Sequence, residues 1–153
     1  MARVTLNIAK SYNNGFIEEI ERTKYFQLQK NVATRADLYS FAIAVALMEN
    51  KEPLPLSEIG NVTSFVRTEY MTNYEPLLSA LYFEKHLKDS PEKIDDICKR
   101  DEVYNMAEEY ANAGFGVIKE WTENIGEDTL FLKLITYMDK EYERIKDEVN
   151  GML

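Results

Sequence analysis

The sequence predicts a mainly α protein, a compact bundle of five or six helices with a short N-terminal strand. Three observations predict it. Residues 103–121 (VYNMAEEYANAGFGVIKEW) place Val103, Met106, Ala107, Tyr110, Gly114, Val117, Ile118 and Trp121 on one face at helical periodicity. Residues 131–149 place Phe131, Leu134, Ile135, Met138, Tyr142, Ile145 and Val149 on a second stripe, opposite a charged face. Residues 36–48 are apolar at eleven of thirteen positions, so that helix has little polar face and must be buried.

Taken in order, residues 3–9 alternate: Val4, Leu6 and Ile8 point one way, Arg3, Thr5 and Asn7 the other, a strand signal. Residues 11–15 are rich in turn formers, and a helix is expected from about Asn14 to Tyr25 or Gln27 with Phe16, Ile17 and Ile20 inward. Thr34 followed by Asp37 resembles a capping box and opens a helix to Glu49. Leu38, Phe41, Ala42 and Val45 are its best stripe, suiting a central core helix or one shared with a second subunit. Pro53 and Pro55 make residues 50–60 a loop. Residues 62–71 allow a short strand or an irregular arm. Asn73 or Thr72 can cap a helix with Pro76 in its first turn, facing Leu77, Leu78, Leu81 and Tyr82 inward. Ser90-Pro91 opens a short helix to Cys98, the glycine-bearing helix runs from Arg100 or Asp101 to Thr122, and the last helix covers residues 128–149.

Length suits one domain over residues 1–153 with a real core. The net charge of −9 is concentrated in residues 101–153, with five Lys/Arg against thirteen Asp/Glu. Such acidity disfavours nucleic acid and anionic membranes there, and suits solubility or a basic protein partner. Any phosphate contact falls to the near-neutral N-terminal third. Cys98 stands alone, so no intrachain disulfide forms, and no stretch reads as a secretory signal or a membrane span. These features point to a cytoplasmic protein.

The residue inventory offers little to catalysis, and no cofactor or metal is expected. His86 is the only histidine, and Glu84, two positions away, projects to another helix face, so neither a di-iron nor a zinc site is built. Lys99 and Arg100 beside Cys98 would lower a thiol pKa, but no motif pairs it with His86 and a structural thiol is the simpler reading. The adjacent acids Glu18-Glu19, Asp95-Asp96 and Glu108-Glu109 diverge by about 100° on a helix and form no converging acid/base pair. Gly114-Phe115-Gly116 lies mid-helix and is no phosphate loop. The chain is not expected to be an enzyme.

Residues 3–48, a strand followed by two helices, resemble a ribbon–helix–helix DNA-binding regulator. That resemblance implies a dimer whose paired strands read DNA with Arg3, Thr5 and Asn7, with Thr34 and Arg35 on phosphate. Arg22, Lys24 and Lys30 would add to a basic patch around Arg35.

Two further segments are similar to the Dnd system-associated protein 4 family, found with bacterial DNA-phosphorothioation genes. They are TRADLYSFAIAVALMENKEPLPL, residues 34–56, and MAEEYANAGFGVI, residues 106–118, in matching order and separation. The resemblance spans about residues 34–138. It departs at Ala113-Gly114, where paired glycines are expected, and in the N-terminal arm. It implies an accessory adaptor in DNA modification, restriction or anti-phage defence that acts by binding a protein partner. On that reading the surface falls on the polar face of the glycine helix: Glu108, Glu109, Asn112, Gly116 and Glu120.

The two glycines of that helix separate on the wheel. Each costs about 1 kcal/mol relative to alanine in a helix interior. Gly114 lies beside Ala107 and Ala111 on a strip that a second helix can approach closely. Gly116 points toward the polar side, where core packing does not explain it.

Overall fold

The computed structural model describes residues 3–12, 27–28, 31–32, 35–89, 92, 99–124 and 127–152. The chain separates into two compact units, Met1–Lys119 and Glu120–Leu153, where the sequence suggests one domain. Mainly α structure with a short two-stranded sheet is what the chain adopts.

In the first unit, strand β1 (Thr5–Ala9) buries Leu6 and Ile8 completely, as the alternation predicts, but Val4, which precedes the strand, is exposed and Ala9 is buried. A single helical turn, Lys10–Tyr12, follows it. A two-residue pair of strands, β2 (Gln27–Leu28) and β3 (Asn31–Val32), comes next. The expected helix over 14–25 lies outside the described residues, and Gln27, its outer limit, belongs to β2.

Helix α1 (Arg35–Met48) buries Ala36, Leu38, Tyr39, Ala42, Ile43, Val45 and Ala46, so it is the central helix that its composition demands. Its end is a Schellman turn. Lys51 N–H donates to Ala46 O at 2.9 Å and Asn50 N–H to Leu47 O at 3.2 Å, with Asn50 left-handed at φ 52°. Asparagine tolerates that conformation better than most residues, so the helix stops there. The loop beyond it is anchored when Leu54 N–H donates to Glu109 O at 3.0 Å.

The segment that could be strand or arm is strand β4 (Val62–Arg67), antiparallel to β1, with Thr5 opposite Arg67 and Ala9 opposite Val62. A 3₁₀ helix (Thr68–Tyr74) leads into α2 (Glu75–Tyr82), whose Pro76 sits in the first turn as expected. The cap is Tyr74, without a side-chain bond; the Thr72 hydroxyl donates instead to Glu69 O at 3.3 Å. Leu78 and Tyr82 are buried and Leu81 half-buried, but Leu77 is exposed, because α2 packs along a narrower face than four inward residues require. One π turn (Phe83–Leu87) extends α2 and carries an exposed His86 against the Tyr82 ring. The helix expected over 91–98, with Cys98, lies outside the described residues apart from residue 92.

Helix α3 (Arg100–Asn124) contains the glycines. Val103, Met106, Ala107, Tyr110, Val117 and Ile118 are buried as the first stripe predicts. Gly114 is where α3 meets α1: a Cβ there would stand 1.7 Å from Ala42 O and 2.5 Å from Ala42 C. Tyr39, Phe65 and Phe115 meet with ring centroids 5.7, 5.8 and 5.9 Å apart, joining α1, β4 and α3. Such aromatic pairs add about 0.5–1.5 kcal/mol each beyond the area they bury.

The second unit holds the last residues of α3 and helix α4 (Glu127–Met152). Side chains 122, 124, 127–138 and 141 lie outside the described ones. Tyr142, Ile145 and Val149, at the C-terminal end of the predicted stripe, are exposed. Among the described residues, no helix is long and apolar enough to cross a membrane.

Candidate functional site

Glu108 and Asn112 do not lie on a solvent-facing helix surface. Both are fully buried, and both face the edge of β1 that β4 leaves open. On the β4 side, Lys10 N–H donates to Asn61 O and Val4 O accepts from Thr68 N–H. On the opposite side, Asn7 N–H donates to Glu108 Oε2 at 2.6 Å and Ala9 N–H to Asn112 Oδ1 at 2.8 Å. Asn112 Nδ2 returns a bond to Asn7 O at 3.3 Å and another to Glu108 O at 2.9 Å. The Tyr39 hydroxyl also donates to Asn7 O, at 2.8 Å.

Spacing explains why these residue types serve. Alternate amides on one strand edge lie about 6.8 Å apart. Residues four apart on a helix are offset by about 6 Å along its axis. Two acceptors at i and i+4 therefore meet two amides at j and j+2, and the side chains of α3 substitute for a missing third strand. A buried amide left without an acceptor would cost about 1–3 kcal/mol.

Arg3 closes the cluster from the chain terminus. Its guanidinium donates to Glu108 Oε2, to Asn105 Oδ1 and, through Nε, to Thr5 O at 3.0 Å. Its backbone N–H donates to Asp101 Oδ1 at 3.1 Å. Burial raises the Glu108 pKa; the Asn7 N–H and the Arg3 cation oppose that rise, and Glu109 adds to it. Glu108 Oε1 has no protein partner, which deepens the desolvation cost. Burial likewise pushes the Tyr39 hydroxyl well above its ordinary range, with the Glu108 charge adding to the shift. Tyr39 is thus held as a neutral donor to the strand.

The structure therefore corrects several placements. Glu108 and Asn112 are internal acceptors, because α3 is buried on two adjoining faces and not on one stripe. Gly116 is half-buried: a Cβ there would lie 3.1 Å from the Tyr12 hydroxyl, so a tyrosine covers that side. Glu109 is half-buried and Glu120 exposed. Among the residues suggested for DNA contact, Arg3 faces the Glu108 carboxylate and Asn7 lends both backbone groups to the cluster. Thr5 is half-buried. The two edges of β1 are taken by β4 and α3, whereas a ribbon shared between two copies would need one of them. Arg35 is exposed, donates to Phe65 O at 3.2 Å, and lies 4.8 Å from the Phe65 ring centroid. Thr34, Arg22, Lys24 and Lys30 lie outside the described residues.

A second arrangement is open to solvent. The start of α1, the end of β4 and the 3₁₀ helix enclose a cleft of about 570 Å³. Ala36, Phe65 and Val66 supply its apolar surface, and Arg35, Asp37, Arg67, Tyr70, Asn73 and Tyr74 its polar and aromatic walls. Tyr70 is 63 % exposed. The Tyr74 hydroxyl donates to Asp37, and that bond, helped by burial and the carboxylate charge, raises the tyrosine's pKa. Arg67 pairs with Glu69 at 3.0 Å, an exposed contact of little stabilising value. Two guanidinium groups, two phenols, a carboxylate and an amide around an apolar floor can grip a peptide-like ligand.

Sequence reasoning missed this cleft because its walls come from three separate segments. The buried cluster did leave a signal. Tyr104, Glu108, Ala111 and Phe115 are spaced four, three and four apart, a second buried stripe with one acid inside it. A comparison of the chain with protein-family models, curated proteins and solved structures finds no match.

Proposed function

We propose that the chain is a non-catalytic adaptor that binds a protein partner, and that it serves a bacterial DNA-modification, restriction or anti-phage defence system. The observation that carries the binding reading is the Tyr70–Tyr74–Arg67–Arg35 cleft. Tyrosine and arginine dominate binding hot spots, because each brings a large contact area together with polar groups that fix orientation. The defence context comes from the resemblance of residues 34–56 and 106–118 to the Dnd-associated family. Glu108, Asn112 and Gly114 in the second segment hold the fold, so the segment bears on architecture and the partner surface is assigned to the cleft.

The test is affinity capture from a host carrying neighbouring DNA-modification genes, with wild type beside a Tyr70→Ala/Arg67→Ala double variant. Both residues are exposed, and substitution at such sites changes stability by only about 0.5 kcal/mol. Wild type is expected to recover a nuclease, helicase or modification subunit. The double variant is expected to melt as wild type does and to lose at least about 2 kcal/mol of affinity, the hot-spot scale. Equal recovery by both proteins would remove the cleft from the reading.

A further inference from the structure

Helix α4 carries a heptad repeat. With Phe131 as a d position, the d residues are Phe131, Met138, Ile145 and Met152, and the a residues are Ile135, Tyr142 and Val149. The steps alternate between four and three over three heptads, the pattern that keeps one seam of a helix facing another helix. The described seam positions are uncovered: Tyr142 is 65 % exposed, Ile145 47 %, Val149 50 % and Met152 84 %. Four large apolar side chains in one line along a charged helix form a surface that association would remove from water.

We propose that α4 pairs with α4 of a second copy as a parallel two-stranded coiled coil. The flanking charges choose both the partner and the direction. Glu141 takes a g position and Lys146 the next e position, five residues on. In a parallel pair each g faces the following e of the partner, so Glu141 meets Lys146 twice. An antiparallel pair sets g against g and e against e: Asp139 then meets Lys146 on one flank, but Glu141 opposes Glu148, like charges, on the other, which cancels the gain. β-Branched Ile135 and Val149 at a positions suit two strands. The proposal is independent of the cleft, which lies in the other unit.

The experiment uses the full chain with Cys98→Ser, so that Val149→Cys introduces the only thiol. A disulfide needs Cα atoms within about 7 Å. Parallel pairing brings residue 149 beside its own copy. Antiparallel pairing of Val149 against Met138 leaves the two residues 149 eleven positions apart, roughly 16 Å along the axis. Sedimentation equilibrium across the micromolar range is expected to show a dimer, and mild oxidation to link it through residue 149. Ile145→Asp is expected to weaken the dimer at least about a hundredfold with helix content unchanged. Lys146→Glu should weaken it about tenfold, and adding Glu141→Lys should restore it. A monomer at every concentration would overturn the proposal and leave the seam to a different protein. A dimer that survives Ile145→Asp, or does not link through residue 149, overturns it as well.

Discussion

Gly114→Ala is expected to destabilise the protein by about 3 kcal/mol or more, at the upper end of overpacking costs. The added methyl would stand 1.7 Å from Ala42 O, and the obstacle is backbone, with no rotamer to yield. Relief requires α1 and α3 to move apart. That would loosen the seating of Ala42, Ile43 and Ala46 and disturb the Tyr39–Phe115 ring contact. The same change at Gly116 serves as the control. There the methyl meets only the far end of the Tyr12 side chain, at 3.1 Å. A shift of a few tenths of an ångström accommodates it, and the helix gains up to about 1 kcal/mol from replacing glycine. Urea denaturation of both variants measures the difference. Equal effects from the two substitutions would contradict the close approach of the helices.

Glu108→Ala is expected to cost about 3–5 kcal/mol, the range for breaking a buried charged pair. It removes the acceptor of the Asn7 amide, deprives Arg3 of its carboxylate and opens a cavity. Glu108→Gln keeps an oxygen for Asn7 N–H and should cost about 1.5–3 kcal/mol at neutral pH, the scale of one hydrogen bond to a charged group. Their pH dependence separates the causes. Burial holds the folded Glu108 pKa above that of the unfolded chain. An acid shifted upward binds its proton more tightly when folded. Its contribution is therefore full below the unfolded value, about 4.3, and is lost as pH rises through the folded value. Glutamine carries no such proton. The stability of wild type minus Glu108→Gln should accordingly be largest near pH 4 and shrink toward neutrality. A difference that grows with pH would mean that Arg3 outweighs the cost of burial.

Much of the architecture is legible because it rests on local chemistry. The alternation of Leu6 and Ile8 gives β1, the apolar run gives α1, and Gly114 among alanines gives the helix contact. What escapes the sequence depends on distant segments. A wheel assigns Glu108 and Asn112 to water because it sees one apolar stripe and cannot see that β1 has an amide edge to satisfy. Leu77 reads as core because periodicity marks apolar residues without showing how wide a face the neighbours cover. The cleft is invisible for a related reason: Arg35 is distant in sequence from Arg67 and Tyr70 and meets them only when β4 lies beside the start of α1. The carboxylate and amide that read as a partner surface are consumed within the fold.

Glu108 and Asn112 take the place of a third strand on β1. Native-state hydrogen exchange at the Asn7 and Ala9 amides tests this most directly. Neither amide bonds to β4, so without the α3 side chains both would lie on an unpaired edge. Both amides are expected to be protected nearly as well as those of the buried helices, with Asn112→Ala releasing Ala9 more than Asn7. Rapid exchange at Asn7 and Ala9 in the wild-type protein, at rates typical of an open strand edge, would contradict that role of Glu108 and Asn112.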